Sequence, residues 1–582
     1  MKYPKLRVME ASRQMVDAFK GYNHNLRIGD GEFFDMKNMT SDSYPVLSPR
    51  KKRGIYKNAA KPLGLIAKDA LCYVDGENFV INEYPVGMNL NDEPKQLISM
   101  GAYVIILPDK KYINAMDLTD YGNIEASFET TNDVTFQLCT IDGAAYEDMT
   151  VSATEPASPG NMALWIDTSS KPHTLKQWSE SSSMWVNIAT TYIKISSQGI
   201  GVSFKQYDGV TISGVQSNVL QDLNASMVIW ACDDDYIVVT GILDEVITQE
   251  ASKGAVTVER KMPNMDFVVE SENRLWGCRY GVAANGEVVN ELYACKLGDF
   301  KNWNCFMGLS TDSYAASCGT DGQFTGAITH LGYPLFFKEN CVHKVYGNYP
   351  ANFQIQTTAC RGVQKGCEKS LAIVNEVLYY KARSGVCAYD GSLPVEVSYA
   401  LGDMYYGRAV AGSHGNKYYI SMQEAISPTY HLFVYDTAKG MWHKEDNLQA
   451  DAFCSCNEEL YCIEHVTKNI IAMLGSGTPD TNPVEWAVET GEIGISSPDM
   501  KYISRLTIRM SADIGSEVRF YAKYDYGDCW EAVGTIRSDN LRSFSIPIRP
   551  RRCDHMRLRI EGEGMVKIYS ITKTIEQGSE LS

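Results

Sequence analysis

Short apolar runs separated by tight-turn residues recur along most of the chain, and they predict β-hairpins. Ala70-Leu71-Cys72-Tyr73-Val74, Asp75-Gly76 and Phe79-Val80-Ile81 make one such unit. Residues 102–106, the turn Pro108-Asp109 and Tyr112-Ile113 make another. After about residue 258 the units become regular. Leu335, Leu378, Tyr418 and Leu460 are equivalent points separated by 43, 40 and 42 residues. A four-stranded propeller blade repeats at roughly 40–50 residues. The larger step of 60 from Leu275 to Leu335 requires an insertion. A propeller also protects strand edges that an open sheet leaves unpaired. The competing arrangement is a run of antiparallel hairpins in a sandwich.

Two segments break this rhythm. Between 127 and 255, Glu155-Pro156-Ala157-Ser158-Pro159-Gly160 reads as a linker, followed by strand-like runs carrying Trp165, Trp178 and Trp185. This predicts a small Trp-rich β module inserted between blades. The hairpin around Asp233-Asp234-Asp235 reads as the return to the propeller. From Lys501 the pattern is clean alternation: Leu506, Ile508 and Met510 against Arg505, Thr507 and Arg509, then Met556, Leu558 and Ile560 against Arg557, Arg559 and Glu561. Strands with one buried and one wet face predict an antiparallel sandwich of jelly-roll type. The first fifty residues read as extended and irregular, with one short helix over 9–19.

The expected fold is all-β: a β-propeller with an inserted small β module and a C-terminal jelly-roll-like sandwich. Its divisions are an extended N-terminal arm (1–60), the first blades (61–126), the Trp-rich module (127–255), the remaining blades (256–494) and the sandwich (495–582).

Composition narrows the function. The 582 residues carry a net charge of −17, whereas a broad grip on nucleic acid requires excess Lys and Arg. The basic runs Arg50-Lys51-Lys52-Arg53 and Arg549 to Arg552 read as solvated turns or subunit contacts. No apolar core follows Lys2, Lys5 and Arg7, so residues 1–22 do not read as a secretory signal. No run is long enough to span a membrane. The 16 cysteines are scattered through apolar strands and read as reduced, buried side chains of a protein made in a cytoplasm.

Candidate chemistry is sparse. Cys454, Cys456, Cys462 and His465 lack zinc-finger spacing and read as blade residues. Cys360 and Cys367 flank a loop and could pair only in the presence of an oxidant. No hydrolase elbow, Walker loop or dinucleotide fingerprint is present. Asp233-Asp234-Asp235 lacks a complete calcium loop. Leu297-Gly298-Asp299-Phe300-Lys301-Asn302-Trp303 is similar to the Asp-box turn of sialidases, a structural turn even there. No catalytic residue, cofactor or metal ligand is therefore assigned. Trp165, Trp178 and Trp185 are the candidate glycan contacts, with a role as the module's own core as the alternative.

Three stretches together resemble tailed-phage propeller proteins. They are Asn38-Met39-Thr40 with Tyr44-Pro45-Val46-Leu47 and Arg50, then Asn273 to Gly277 with Gly298 to Trp303, and Gly332 to Glu339. The relatives are podophage tail nozzle and head-tail stabilisation proteins, and minor structural proteins of phages of Gram-positive bacteria. The resemblance covers roughly 25–125 and 260–480. It implies a non-enzymatic virion protein assembled with identical copies into a ring around the tail channel, beside other tail or portal and adaptor proteins, with genomic DNA passing transiently. It places the chain in the phage tail, after assembly in the host cytoplasm. A receptor- or glycan-binding tail protein, gripping a host-surface glycan through the module or the sandwich, is the alternative. A sialidase-like glycoside hydrolase is a third.

Overall fold

Strands that are apolar on both faces need neighbours on both faces, and a ring of stacked blades supplies them. The computed structural model describes residues 11–577 except 132, 217–219, 248, 253–254, 284, 526 and 538–539. Among the described residues, seven antiparallel blades form a propeller: five are separate four-stranded sheets, the sixth is four strands of a larger sheet, and the seventh carries a short fifth strand, Thr478–Pro479. Blades 1 and 2 run from Pro62–Lys68 to Tyr84–Gly87 and from Gln96–Met100 to Tyr121–Asn123. Blades 3 and 4 run from Phe267–Ser271 to Tyr314–Ser317 and from Gly326–His330 to Gln354–Ala359. Blades 5 and 6 run from Ala372–Val374 to Val395–Glu396 and from Tyr406–His414 to Met441–Lys444. The first strands of successive blades touch around the ring, that of blade 7 meeting that of blade 1, and the 3-10 turn Glu368–Ser370 bridges blades 4 and 5.

Leu335, Leu378, Tyr418 and Leu460 all lie buried in the second strand of their blades. The hairpin before that strand turns on two residues. Glu272-Asn273, Leu331-Gly332 and Asn375-Glu376 take positive φ at both positions, the turn whose twist matches the flanking strands. The additional residues of blade 3 form the loop 295–313 between its third and fourth strands.

Blade 7 closes the ring across the length of the chain. Ala450–Cys456, Glu459–Glu464 and Asn469–Ala472 supply three strands, and Gly54–Asn58 supplies the fourth. A Cβ on Gly54 would fall 1.9 Å from the Ser476 carbonyl oxygen, so the closing strand starts on a glycine because backbone lies where a side chain would begin. Just before it, the Arg53 guanidinium donates to Glu445 Oε2 at 2.7 Å and Asp446 Oδ2 at 2.8 Å. Arg50 joins the cluster, its Nε 3.5 Å from Glu445. The basic run is thus half internal: Arg50 and Arg53 are ion-paired inside the fold, and Lys51 and Lys52 remain exposed.

The first sixty residues differ from a free arm. The expected helix over 9–19 is a strand where it is described: Ala11–Val16 pairs with Val566–Gln577. Glu32–Lys37 pairs with Glu485–Thr490, and Gly21–Tyr22 pairs with Met441–Lys444 of blade 6. One continuous ten-stranded sheet therefore runs from blade 6 into the sandwich. The sandwich includes Glu485–Thr490 and these N-terminal strands, so it is not a unit of residues 495–582 alone. Its alternation matches burial: Val518, Phe520, Ala522, Met556, Leu558 and Ile560 face the core, and their sequence neighbours face outward.

The inserted module leaves blade 2 after Tyr121–Asn123 and re-enters the ring at Phe267–Ser271. Two sheets enclose its own core of Val134, Phe136, Ile193, Ile212, Ile237 and Val258 with their neighbours. The hairpin Ala231–Asp233 with Tyr236–Thr240 belongs to this module, not to the propeller.

Candidate functional site

The tryptophans stand on a third sheet of the module. Thr174–Ser179 pairs antiparallel with Leu164–Asp167 and with Met184–Asn187, and Met149–Ser152 adds a parallel edge. Alternation sends Ile166 and Leu175 into the module core. Trp165, Lys176, Trp178 and Trp185 share the opposite face: Trp165 pairs with Lys176, and Trp178 with Trp185.

The three rings form a ladder. Trp165 and Trp185 meet edge to face with centroids 5.3 Å apart, and Trp178 and Trp185 do so at 5.6 Å, the geometry that ring quadrupoles favour. Trp165 is buried and donates its Nε1–H to the Ser152 carbonyl at 3.0 Å. Trp178 and Trp185 are half-buried. The Lys176 ammonium sits 4.7 Å from the Trp165 ring centroid and 2.8 Å from Asp167. Hydrogen bonds from Lys176 and Ser169 pull the Asp167 carboxyl down to about 2, so it is an anion at neutral pH. The Trp185 Nε1–H is buried and has no protein acceptor. The two sequence readings thus divide: Trp165 is the packed base of the ladder, and Trp178 and Trp185 form its half-open end.

The module is held to blade 3 by the Asp-box-like turn. Asp299 accepts from the Lys301 amide at 3.1 Å, and Trp303 Nε1 donates to the Phe300 carbonyl at 2.8 Å. Asn302 is buried and reaches into the module, accepting from the Gly209 amide at 2.9 Å and donating to Asp208 at 2.9 Å. Asp208 is ion-paired with the buried Arg260. The spacing marked a turn; its use as an anchor depends on a partner some ninety residues away and left no local signal.

The other candidates are structural. Cys456 and Cys462 are buried, Cys454 is half-buried, and the cysteines of the described chain, Cys360 and Cys367 included, are free thiols. Burial pushes the Cys72, Cys139 and Cys454 thiols up to about 12, far from a reactive thiolate. Among the described residues, no three His, Cys, Asp or Glu side chains gather in a metal-binding group. Asp233, Asp234 and Asp235 cap an exposed hairpin. A cleft between blades 5 and 6 contains Arg383, Tyr405 and Glu396, but Glu396 is already paired with Arg361 at 2.9 Å. Arg274 is fully engaged with the carbonyls of Cys295, Ser310 and Asp312, so it serves the blade 3 loop. No helix among the described residues is long and apolar enough to cross a membrane.

No protein-family model matches the chain, and no curated protein matches it in sequence. Among solved structures, an exo-β-1,3-galactanase from Phanerochaete chrysosporium aligns at 8% identity and TM-score 0.22 over 53% of this chain and 94% of that one. A family 43 arabinoxylan arabinofuranohydrolase from Bacillus subtilis aligns at 8% and 0.19 over 52% and 94%. The endosialidase of phage phi92 aligns at 10% and 0.22 over 82% and 70%. Scores this low carry no inference about activity; the propeller rests on the strand pairing itself.

Proposed function

We propose that this chain is a non-catalytic structural protein of a tailed-phage particle, a propeller that assembles with further copies around the tail channel. The observation that carries this reading is the use of the first sixty residues. Ala11–Val16 is stitched into the sandwich, Glu32–Lys37 into the sheet joining it to blade 6, and Gly54–Asn58 into blade 7. Propeller and sandwich share one continuous ten-stranded sheet, which suits a component of a ring under axial force. The stretches that resemble phage nozzle and head-tail stabilisation proteins are strands and turns of this same scaffold.

Imaging of virions labelled on this chain tests the reading. Several copies on the tail axis support it; single copies on the tail periphery refute it.

The Trp ladder favours a second reading, a glycan grip on the host surface. Trp178 and Trp185 offer half-open ring faces on which a sugar ring can stack. Calorimetric titration of the full chain with host-wall polysaccharide tests it. Binding lost in Trp178→Ala supports this reading, and absence of binding removes it.

A further inference from the structure

The charge of the chain is divided unevenly, and the fold places the two extremes on opposite sides. Residues 127–255 contain 16 Asp and Glu against 5 Lys and no Arg, a net −11. Residues 495–582 contain 14 Lys and Arg against 12 Asp and Glu, a net +2 in a chain of −17.

The basic excess has a flat face. Directly paired residues in an antiparallel sheet share a face. Arg13 pairs with Thr574, which pairs with Arg505. Two residues on, Met15, Thr572, Thr507 and Ser545 form the next row, followed by Ser570, Arg509 and Ser543. At the other end, Tyr502 pairs with Arg552 and with Glu576, the carboxylate of this face. Leu506 and Ile508 point the other way, into the core. Arg13, Arg505, Arg509 and Arg552 are exposed, and none makes an ion pair with a described carboxylate. Elsewhere on the sandwich, three arginines are ion-paired: Arg557 with Glu489 and Glu492, Arg551 with Glu531, Arg537 with Glu517. The sheet therefore presents hydroxyls and uncompensated guanidiniums, which bind carboxylates in a planar fork.

The acidic module leaves the ring between blades 2 and 3, and the sandwich continues the sheet of blade 6. In a seven-bladed ring these positions are three and a half blades, half a turn, apart. A single copy cannot bring its own module to its own basic face. A second copy can, and two different surfaces meeting head to tail generate a closed ring when the rotation closes.

We propose that the Arg13, Arg505 and Arg509 face of one copy docks on the acidic module of the next, where Asp233, Asp234, Asp235, Glu147 and Asp148 are exposed. This inference deepens the ring reading and rests on it. It names the occupant as a second copy of this chain rather than a polyanion from outside.

The test is native mass spectrometry and mass photometry of the full chain at low and high salt, with two charge-reversed variants. Arg505→Glu/Arg509→Glu changes two exposed side chains, and Asp233→Lys/Asp234→Lys changes an exposed turn. The wild type forms oligomers that weaken with salt, and each variant alone weakens association by about tenfold or more. An equimolar mixture of the two variants associates again, because reversed sandwich faces reversed module. Wild-type rings that neither variant disturbs overturn this docking mode and leave the ring reading standing. A wild type that stays monomeric overturns both. Loss of affinity for heparin in the sandwich variant, with unchanged oligomers, overturns the proposal in favour of an external polyanion.

Discussion

Replacing Arg53 with alanine is the sharpest perturbation of ring closure. Its guanidinium lies between Glu445 and Asp446, which head the connection from blade 6 to blade 7, and it directly precedes the closing strand Gly54–Asn58. The Arg53 and Glu445 side chains are only 12% and 8% exposed. Removing one partner of such a pair leaves an uncompensated internal charge at a cost of about 3–5 kcal/mol. Asp446 is 24% exposed, so water takes up part of its charge and the lower end, about 3 kcal/mol, applies. Arg50 remains to face two carboxylates. The assay is hydrogen exchange of the amides in Gly54–Asn58 and Asn469–Ala472, which reports opening of the closure itself. Protection falls there by about two powers of ten, more than in blades 3 and 4. The charge-balanced double variant Arg53→Met/Glu445→Met recovers most of it, because apolar replacement of an internal pair is close to neutral. Unchanged protection in Arg53→Ala refutes the assignment of the cluster as the clasp of the ring.

Further expectations concern the same scaffold. Gly54→Ala drives a methyl into the Ser476 carbonyl and lowers the melting temperature, read by calorimetry, whereas Gly415→Ala, with open space around it, costs only its positive-φ strain of about 1 kcal/mol. Burial holds His343 at about 4 and His443 at about 3; the unfolded chain takes up these protons first, so stability is complete above about pH 6.5 and falls as pH drops toward 4. For His343 the loss by pH 4 is about 3 kcal/mol, and His343→Gln, which keeps hydrogen-bonding atoms near Thr320 and Thr357, flattens the slope of a urea-midpoint series between pH 6.5 and 4.5. Asn302→Ala removes the anchor from the Asp208–Arg260 pair and loosens the module, read as faster exchange at the Gly209 amide with the blade 7 amides unchanged.

The repeat was legible because blade strands are short, apolar and separated by two-residue turns, which a sequence displays locally. The change of pattern near Lys501 was legible for the same reason: one wet face restores strict alternation. Strand donation was hidden. Ala11–Val16 carries Ser12, Arg13 and Gln14 with no β-rich core, and only its partner strand some 550 residues later makes it extended. Gly54–Asn58 is equally unmarked, since its blade lies more than 400 residues away. Arg50 and Arg53 looked like a solvated run because their carboxylate partners are as distant. The Trp-rich segment was found by composition, but which rings pack and which stay half-open depends on register: the pairing of Trp178 with Trp185 and the bond from Trp165 to Ser152 decide it.

Electron microscopy of the purified full chain, followed by virions labelled on it, tests the proposed ring of copies around a tail axis. Closed rings of the isolated protein and several copies of the label on the tail axis are expected. An isolated monomer, together with label confined to the tail periphery, overturns the proposal.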